Sequence, residues 1–481
     1  MRYSGKKIVL AQPTGYNWVP GQEDITRDVS VMAPVGLCSM AAYLASRGIE
    51  ARILDGYAKP RPLKAWVDSI RSFNPSWLGI SATTSGFLEA VRLAEAVKAA
   101  AAGIRVIMGG VHVSGLKQRC LEDFDAIDFG IVGEGEETLE RLIRREGADL
   151  GDVPGILYRD AGDARQVSFT GLNRKMISLD SLPFPAYEML DGYPRAYRLP
   201  IFSFPSHPSA SVISSRGCPY RCSYCDRSVF RRSFRYNSPD YMIAHLEYMA
   251  RRWGIRHVTF YDDIFTASRK RIEAFCGLMA RKQPGITFNC AVRANEVDED
   301  LVRMLKAAGC WQISFGVESG DPGIVKLHRR RSDLHEIRAK VDLVKRFGIR
   351  AKGLFIMGLP GDTEETIRRT IDYACSTDFD EVNVSKFTPF PGAPVYEGIR
   401  DHGEFDEDWP KMNLLNFCFV PKGLTRARLE ELYREFLRRF YERPSTLFRY
   451  SKLMVKSPYN LVMLAGNLPG FLKYLRWIKK G

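Results

Sequence analysis

Ser214-Ser215-Arg216-Gly217-Cys218-Pro219-Tyr220-Arg221-Cys222-Ser223-Tyr224-Cys225-Asp226 sets three thiols at a C-x3-C-x2-C spacing. One tight loop with that spacing presents three thiolates to three corners of a cubane iron–sulfur cluster and leaves the fourth iron without a cysteine. An iron open in this way can bind and reduce a small molecule. The rival reading is a zinc knuckle, which needs a fourth ligand close by. No Cys or His follows Cys225 before His245, so ligand count argues for the cluster.

The spacing, the opening Gly217-Cys218-Pro219 and the aromatic Tyr224 before the last thiol resemble the signature of the radical S-adenosylmethionine (SAM) enzymes. The resemblance implies a [4Fe-4S] cluster on Cys218, Cys222 and Cys225 whose unique iron chelates the amino and carboxylate groups of SAM. Downstream, His257 to Tyr261, Phe288 to Val292, Gln312 to Phe315, Ala351 to Met357 and Glu381 to Val384 read as buried strands separated by helical stretches. With the strand before Cys218 they number six, which fits the partial (β/α)6 barrel that the resemblance implies for residues 211–400. Barrel chemistry belongs at the carboxyl ends of strands. There Asp262 and Asp263 are acceptors suited to an ammonium or hydroxyl groups, and Arg293 is a fixed cation suited to a carboxylate. Glu318 and Ser319, in Gly316-Val317-Glu318-Ser319-Gly320, resemble the family's stretch that meets the ribose and the methionine moiety. Gly358, within Gly353 to Gly361, resembles the stretch that flanks adenine through backbone contacts, and Thr388 to Gly392 is also similar to the family.

Residues 1–150 read as an α/β, doubly wound, Rossmann-like domain. Lys7 to Leu10, Ile49 to Leu54, Trp77 to Ser81, Arg105 to Met108 and Ile127 to Val132 are short apolar runs, with helical periodicity in Val35 to Arg47 and Phe87 to Ala102. Such sheets bind ligands at the carboxyl ends of their strands. The loops there hold Pro13, Ser81, Gly109, Gly110, His112, Gly133, Glu134 and Gly135. Together with the cysteine loop, Ala33 to Leu37, Gly109 to His112 and Val132 to Glu136 resemble the cobalamin-binding domain fused to a large class of radical SAM enzymes. No D-x-H-x-x-G is present, and the nearest stretch, Asp55-Gly56-Tyr57, lacks the histidine that would lie beneath cobalt. His112 is then a turn residue near the nucleotide tail. Only Cys38 and Cys120 precede Cys218, too few for the second cluster of the methylthiotransferases.

Residues 151–210 read as a linker: a hairpin around Asp160 to Arg165, then an extended connector with prolines 183, 185, 194, 200, 205 and 208. Residues 401–481 read as a mainly helical region. In it, Thr425 to Tyr441 is amphipathic and expected to pack on the barrel. The net charge is +14, and from Arg443 to Gly481 there are eight Lys or Arg and no Asp or Glu. Basic and aromatic residues together, in Leu461 to Ala465 and Phe471 to Ile478, suit the plane of an anionic membrane; nucleic acid is not expected. Met1 to Leu10 has too short an apolar run for a secretory leader. The expected location is therefore cytoplasmic, with the tail able to lie on the inner membrane surface. Seven further cysteines (38, 120, 276, 290, 310, 375 and 418) read as small buried hydrophobes, with a redox role open to Cys290 and Cys310 if exposed.

The resemblance implies a cobalamin-dependent enzyme that methylates an unactivated carbon of a small-molecule or lipid substrate, with a reductant such as ferredoxin or flavodoxin. A cyclase or rearrangement enzyme using the same cofactors is the second reading, and a non-catalytic cobalamin-binding sensor the third.

Overall fold

The computed structural model describes residues 6–14, 30–160, 163–173, 176–200, 202–329 and 332–456, and positions 459, 462 and 465. In the first layer, β1 (Lys7–Gln12), β2 (Glu50–Asp55), β3 (Trp77–Ser81), β4 (Arg105–Gly109) and β5 (Phe129–Ile131) lie parallel in the order β2-β1-β3-β4-β5. That order reverses direction between β1 and β3, where doubly wound sheets open their ligand crevice. Helices α1 (Val35–Ser46), α2 (Leu63–Phe73), α3 (Phe87–Ala100), α4 (Val111–Leu116), α5 (Arg119–Glu122) and α6 (Glu136–Arg144) connect the strands.

The hairpin expected in the linker forms as β6 (Ile156–Asp160) and β7 (Asp163–Phe169), but it is no part of a connector. β6 pairs antiparallel with β5, register Phe129 to Tyr158, and extends the first sheet to seven strands. The first domain therefore runs past residue 150 to the end of β7. An antiparallel hairpin can close the edge that a parallel sheet would leave open.

The second sheet holds β8 (Ser209–Val212), β11 (His257–Phe260), β12 (Thr287–Val292), β13 (Cys310–Glu318), β14 (Arg350–Met357) and β15 (Glu381–Lys386), six parallel strands side by side in chain order. A two-residue antiparallel pair, β9 (Ser215–Arg216) with β10 (Arg235–Tyr236), brackets the cysteine loop. Crossovers are α7 (Pro239–Trp253), α8 (Arg269–Lys282), α9 (Glu299–Ala307), α10 (Pro322–His328) with α11 (Leu334–Arg346), and α12 (Glu364–Ser376). Their starts obey local chemistry: Ser238 caps α7 with Pro239 next, and Thr363 and Thr366 form a capping box on α12. This is the half barrel expected from the sequence.

The C-terminal region begins with an unforeseen ribbon, β16 (Gly403–Phe405) on β17 (Phe419–Pro421). Then α13 (Arg426–Tyr441) buries Leu429, Leu432, Phe436, Leu437 and Phe440 against the barrel, as its apolar stripe predicts. Helix α14 (Pro444–Lys456) docks beneath the amino ends of the strands. There Arg443 donates to the Cys375 and Phe379 carbonyls, and Arg449 pairs with Asp378. Leu461 and Phe471 to Ile478 lie outside the described residues, as does Gly15. No described helix is long and apolar enough to cross a membrane. One face of the first sheet shares a continuous apolar core with the barrel, through Tyr187, Leu190 and Tyr197 of the connector; the other face has its own.

Candidate active site

β8 delivers the chain to the barrel mouth, where the cysteine loop is held on four sides. From behind, Asp262 accepts from Ser214 N (2.6 Å), Ser214 Oγ (2.6 Å) and Ser215 Oγ (2.7 Å), with the Arg271 guanidinium 3.8 Å away. Gly217 adopts φ +85°, and a Cβ on it would lie 2.0 Å from Ser233 O, so only glycine fits between the β9–β10 pair and Cys218. From the barrel side His328 Nε2 donates to Pro360 O (2.7 Å), which leaves Nδ1 to accept from the Ser223 hydroxyl (2.7 Å). At the far end a Cβ on Gly392 would lie 2.1 Å from Asp226 Oδ1, so the segment after β15 packs directly on the loop.

Cys222 is buried, Cys218 half-buried and Cys225 exposed. The Cys225 thiol and the Cys222 sulfur hydrogen-bond to each other, which pushes Cys225 up and pulls Cys222 down; Tyr224, Arg329 and Arg293 also favour the Cys222 thiolate. Among the described residues no three His, Cys, Asp or Glu side chains gather as a single-ion site would. Three thiols on one loop beside two arginines are a donor set that suits a cluster, in which each sulfur holds a different iron.

Around the loop, Arg293 lies 3.7 Å from the Tyr220 ring centroid, and Glu318, at φ +68°, pairs with Arg329 at 3.2 Å and takes a hydrogen bond from Tyr224. Asp263 is exposed and accepts Gly217 N–H; burial, with the Asp263 charge beside it, pushes the Cys218 thiol up. Tyr224, Asp263, Arg293 and Glu318 thus gather at the mouth with the three thiols. Two sequence-predicted residues do not offer the side chains assigned to them. Asp262 is 5 % exposed with its oxygens filled by the serines, so it anchors the loop and is not free for an ammonium. Ser319 is 1 % exposed and bonds Thr370 Oγ1 at 3.0 Å, turned away from the mouth. Gly358 donates its N–H to Asp362 Oδ2 (3.0 Å), which braces the stretch expected to flank adenine. The free thiols of Cys290 and Cys310 share a hydrogen bond in the core and are each 2 % exposed, without the exposure that the redox role required.

Above the loop lies a cavity of about 230 Å³ that is open on one side to solvent, smaller than the roughly 300–1,000 Å³ usual for an enclosed ligand pocket. Gln12, Ser81, Gly110, Gly133, Glu134 and Gly135 line it from the first sheet; the cysteine-loop side gives Ile213, Ser215, Arg216 and Phe230. The connector, to which the sequence assigned no chemistry, supplies Leu179, Leu182, Pro183 and Pro185. His245 of α7 also lines it, and its Nε2 has no hydrogen-bond partner. Pro13, next after Gln12, and Gly109, just before Gly110, adjoin the lining without being part of it. His112 is corrected: it is 0 % exposed, ring to ring with Phe87 (4.2 Å) and Trp409 (4.6 Å), and burial lowers its pKa to about 3. It is a core residue with no face toward the cavity. Open on one side at the switch point, edged by Gly110, Gly133 and Gly135 and with no first-domain histidine among its described lining, the cavity suits the edge of a corrin that takes no histidine from that domain.

Sequence reasoning missed Arg216, Arg235, Glu136 and Ser39, which form one buried network across the two domains. A signal was present in the alternating acids of Gly133-Glu134-Gly135-Glu136, but their partners lie far along the chain.

Comparison with known proteins agrees with this geometry. Residues 25–143 match the B12 binding domain family and residues 212–374 the radical SAM superfamily. The chain thus combines a B12-binding domain with a radical SAM domain. It is 29% identical over 451 residues to an uncharacterized methyltransferase of Pyrococcus horikoshii, covering 92% of this chain and 94% of that one. It is 26% identical over 392 residues to the anaerobic magnesium-protoporphyrin IX monomethyl ester cyclase of Cereibacter sphaeroides, covering 80% and 62%. The fold matches that of the radical SAM methyltransferase TsrM of Kitasatospora setae, with TM-score 0.65, 19% identity and coverage of 82% and 74%. The domain pair implies a [4Fe-4S] cluster and SAM on the half barrel and cobalamin on the first domain.

Proposed function

We propose that this B12-binding radical SAM enzyme methylates an unactivated carbon of a small molecule, drawing electrons from a protein reductant such as ferredoxin or flavodoxin. The observation that carries the reading is the shared cavity: loops of the first sheet line one space with Ser215 and Arg216 at the start of the cysteine loop, which supports a substrate held between the two cofactors. The bound cofactors would supply a carbon-centred radical and a methyl group; the chain supplies position. Cys218, Cys222 and Cys225 would hold the cluster, and Arg293 and Asp263 offer a cation and an anion to the two ends of an amino acid moiety. Gln12, Ser81, Gly110, Gly133 and Gly135 would cradle the corrin edge. Leu179, Leu182, Pro183 and Pro185 exclude water from the side.

The test is product mass with the anaerobically reconstituted enzyme. Methylation adds one methyl group and yields S-adenosylhomocysteine beside 5′-deoxyadenosine; 5′-deoxyadenosine alone rejects it. The cyclase relative supports a second reading with the same cofactors, marked by loss of hydrogens or gain of oxygen in the product. A sensor predicts neither, and would keep its corrin-dependent output after Cys222→Ala.

A lipid substrate is a finer part of this reading. Leu447, Phe448, Val455 and Val462 are exposed on the basic C-terminal segment, beside Lys452, a composition that suits an anionic bilayer. Vesicles containing anionic lipid should sediment the full chain, and equal sedimentation of a chain ending at residue 442 rejects it.

A further inference from the structure

We propose that Arg216 is a positioning residue that fixes the cysteine loop relative to the corrin cavity. The inference rests on the family assignment and does not depend on methyl transfer. Arg216 stands two positions before Cys218. Its Nη1 donates to Glu134 Oε2 at 2.6 Å, and its Nη2 donates to Glu136 Oε1 at 2.6 Å and to Ser39 Oγ at 3.2 Å. Ser39 in turn donates to Glu136 at 3.0 Å. Across the β9–β10 pair, Arg235 takes the other oxygen of Glu134. The side chains of Arg216, Glu134 and Glu136 are 13, 14 and 6% exposed.

Two guanidiniums against two carboxylates make the network neutral. Burying such a network is a poor way to gain stability, since apolar residues would serve as well; its best-attested use is to select one registry. Here the registry is between two cofactor loops. Apolar packing tolerates sliding, whereas a guanidinium forked onto two carboxylates fixes both angle and distance. The loop Gly133-Glu134-Gly135 is itself cavity wall, so a ligand pressing on it moves the carboxylates that hold Arg216. Gly217 alone joins Arg216 to Cys218, in a space where even a Cβ would meet Ser233 O, so the displacement passes through it to Cys218. Phe230 lies over the Arg216 guanidinium, 5.9 Å from it, and lines the same cavity.

The test uses holoenzyme reconstituted with iron, sulfide and cobalamin, comparing the native chain with Arg216→Gln, Arg216→Lys and Glu136→Gln. Iron and cobalt are counted per chain, and pulsed dipolar spectroscopy reads the distance distribution between the reduced cluster and cob(II)alamin. With both cofactors retained, Arg216→Gln should broaden that distribution about twofold, as expected when a supporting contact is left loose by about 1 Å. Arg216→Lys, which cannot fork, should give an intermediate width. Glu136→Gln should act in the same direction, and combining it with Arg216→Gln should add little. Unchanged widths with both cofactors bound overturn the proposal. So does loss of the cluster in Arg216→Gln with Glu136→Gln native in width, which would reduce Arg216 to a folding role. A native chain that binds no corrin overturns the family reading itself.

Discussion

The two mouths of this molecule are built by opposite means. At the half barrel, polar side chains turn inward and brace the loops: Asp262 holds Ser214 and Ser215, Asp362 holds the amides of Gly358 and Leu359, and Ser319 holds Thr370. At the first sheet the cavity edge alternates glycines, at Gly110, Gly133 and Gly135, with the apolar residues Val35, Leu37 and Met40, and the nearby carboxylates reach across to the other domain. The difference follows from what each must hold. A small cluster and SAM need a rigid loop with charges at set points, while a broad planar ring needs room and backbone. Where the sequence offers a polar residue at a strand end, it therefore marks bracing as often as ligation.

The sharpest break between the mouths is Cys222→Ala. It should abolish cluster loading and 5′-deoxyadenosine formation, measured by iron content and chromatography, while cobalt per chain stays native. Loss of cobalt together with iron would mean that the mouths assemble as one unit. Next in size is Asp262→Ala. It removes one partner from a pair whose side chains are 1% and 0% exposed, which typically costs about 3–5 kcal/mol and should appear in denaturant unfolding. A loss below about 1 kcal/mol, the scale of an exposed pair, would return Asp262 to the role of a free ligand.

Much of this was legible beforehand because it is local. Six apolar strands, the hairpin and the stripe of Thr425 to Tyr441 follow from spacing alone, and the C-x3-C-x2-C loop follows from ligand count. What stayed hidden is set by partners distant in sequence. Asp262 and Asp263 are neighbours with one composition, yet the serines after β8 claim the first and leave the second exposed. Gly133 to Glu136 could be read as a cofactor loop from its glycines, but Arg216 meets Glu134 from 82 positions away. The hairpin was read correctly and placed wrongly, because nothing local says that β6 pairs with β5. The basic tail was read as a membrane-facing segment from its composition, which could not show that Arg443 and Arg449 dock beneath the barrel.

The bracing at the barrel mouth has a pH signature. Burial pushes the Asp362 carboxyl up to about 6 from an ordinary value of 3.8. A raised acid favours the folded state when protonated. Its contribution is therefore complete below about pH 4 and is lost as pH rises through about 6, a fall of at most about 3 kcal/mol for a shift of this size. Urea unfolding of the native chain and of Asp362→Asn at several pH values should show that fall in the first and its absence in the second. Parallel profiles would place the carboxylate in contact with solvent and weaken the contrast between the mouths.

The smallest effect sharpens the comparison from the other side. His112 follows Gly109-Gly110 at the first sheet's edge, yet both of its nitrogens are buried without a hydrogen-bond partner. A neutral imidazole held between Phe87 and Trp409 behaves as a flat apolar filler that retains an unmet polar cost. Replacing such a group by an apolar one of similar size is close to neutral or stabilising by up to about 1 kcal/mol. His112→Leu should accordingly leave cobalamin affinity within about twofold of native, a difference of about 0.4 kcal/mol, and thermal unfolding should shift slightly upward. A tenfold loss of corrin affinity with native stability would mean that the imidazole turns toward the cavity when the ring is bound, and the first mouth would then use side chains as the second does.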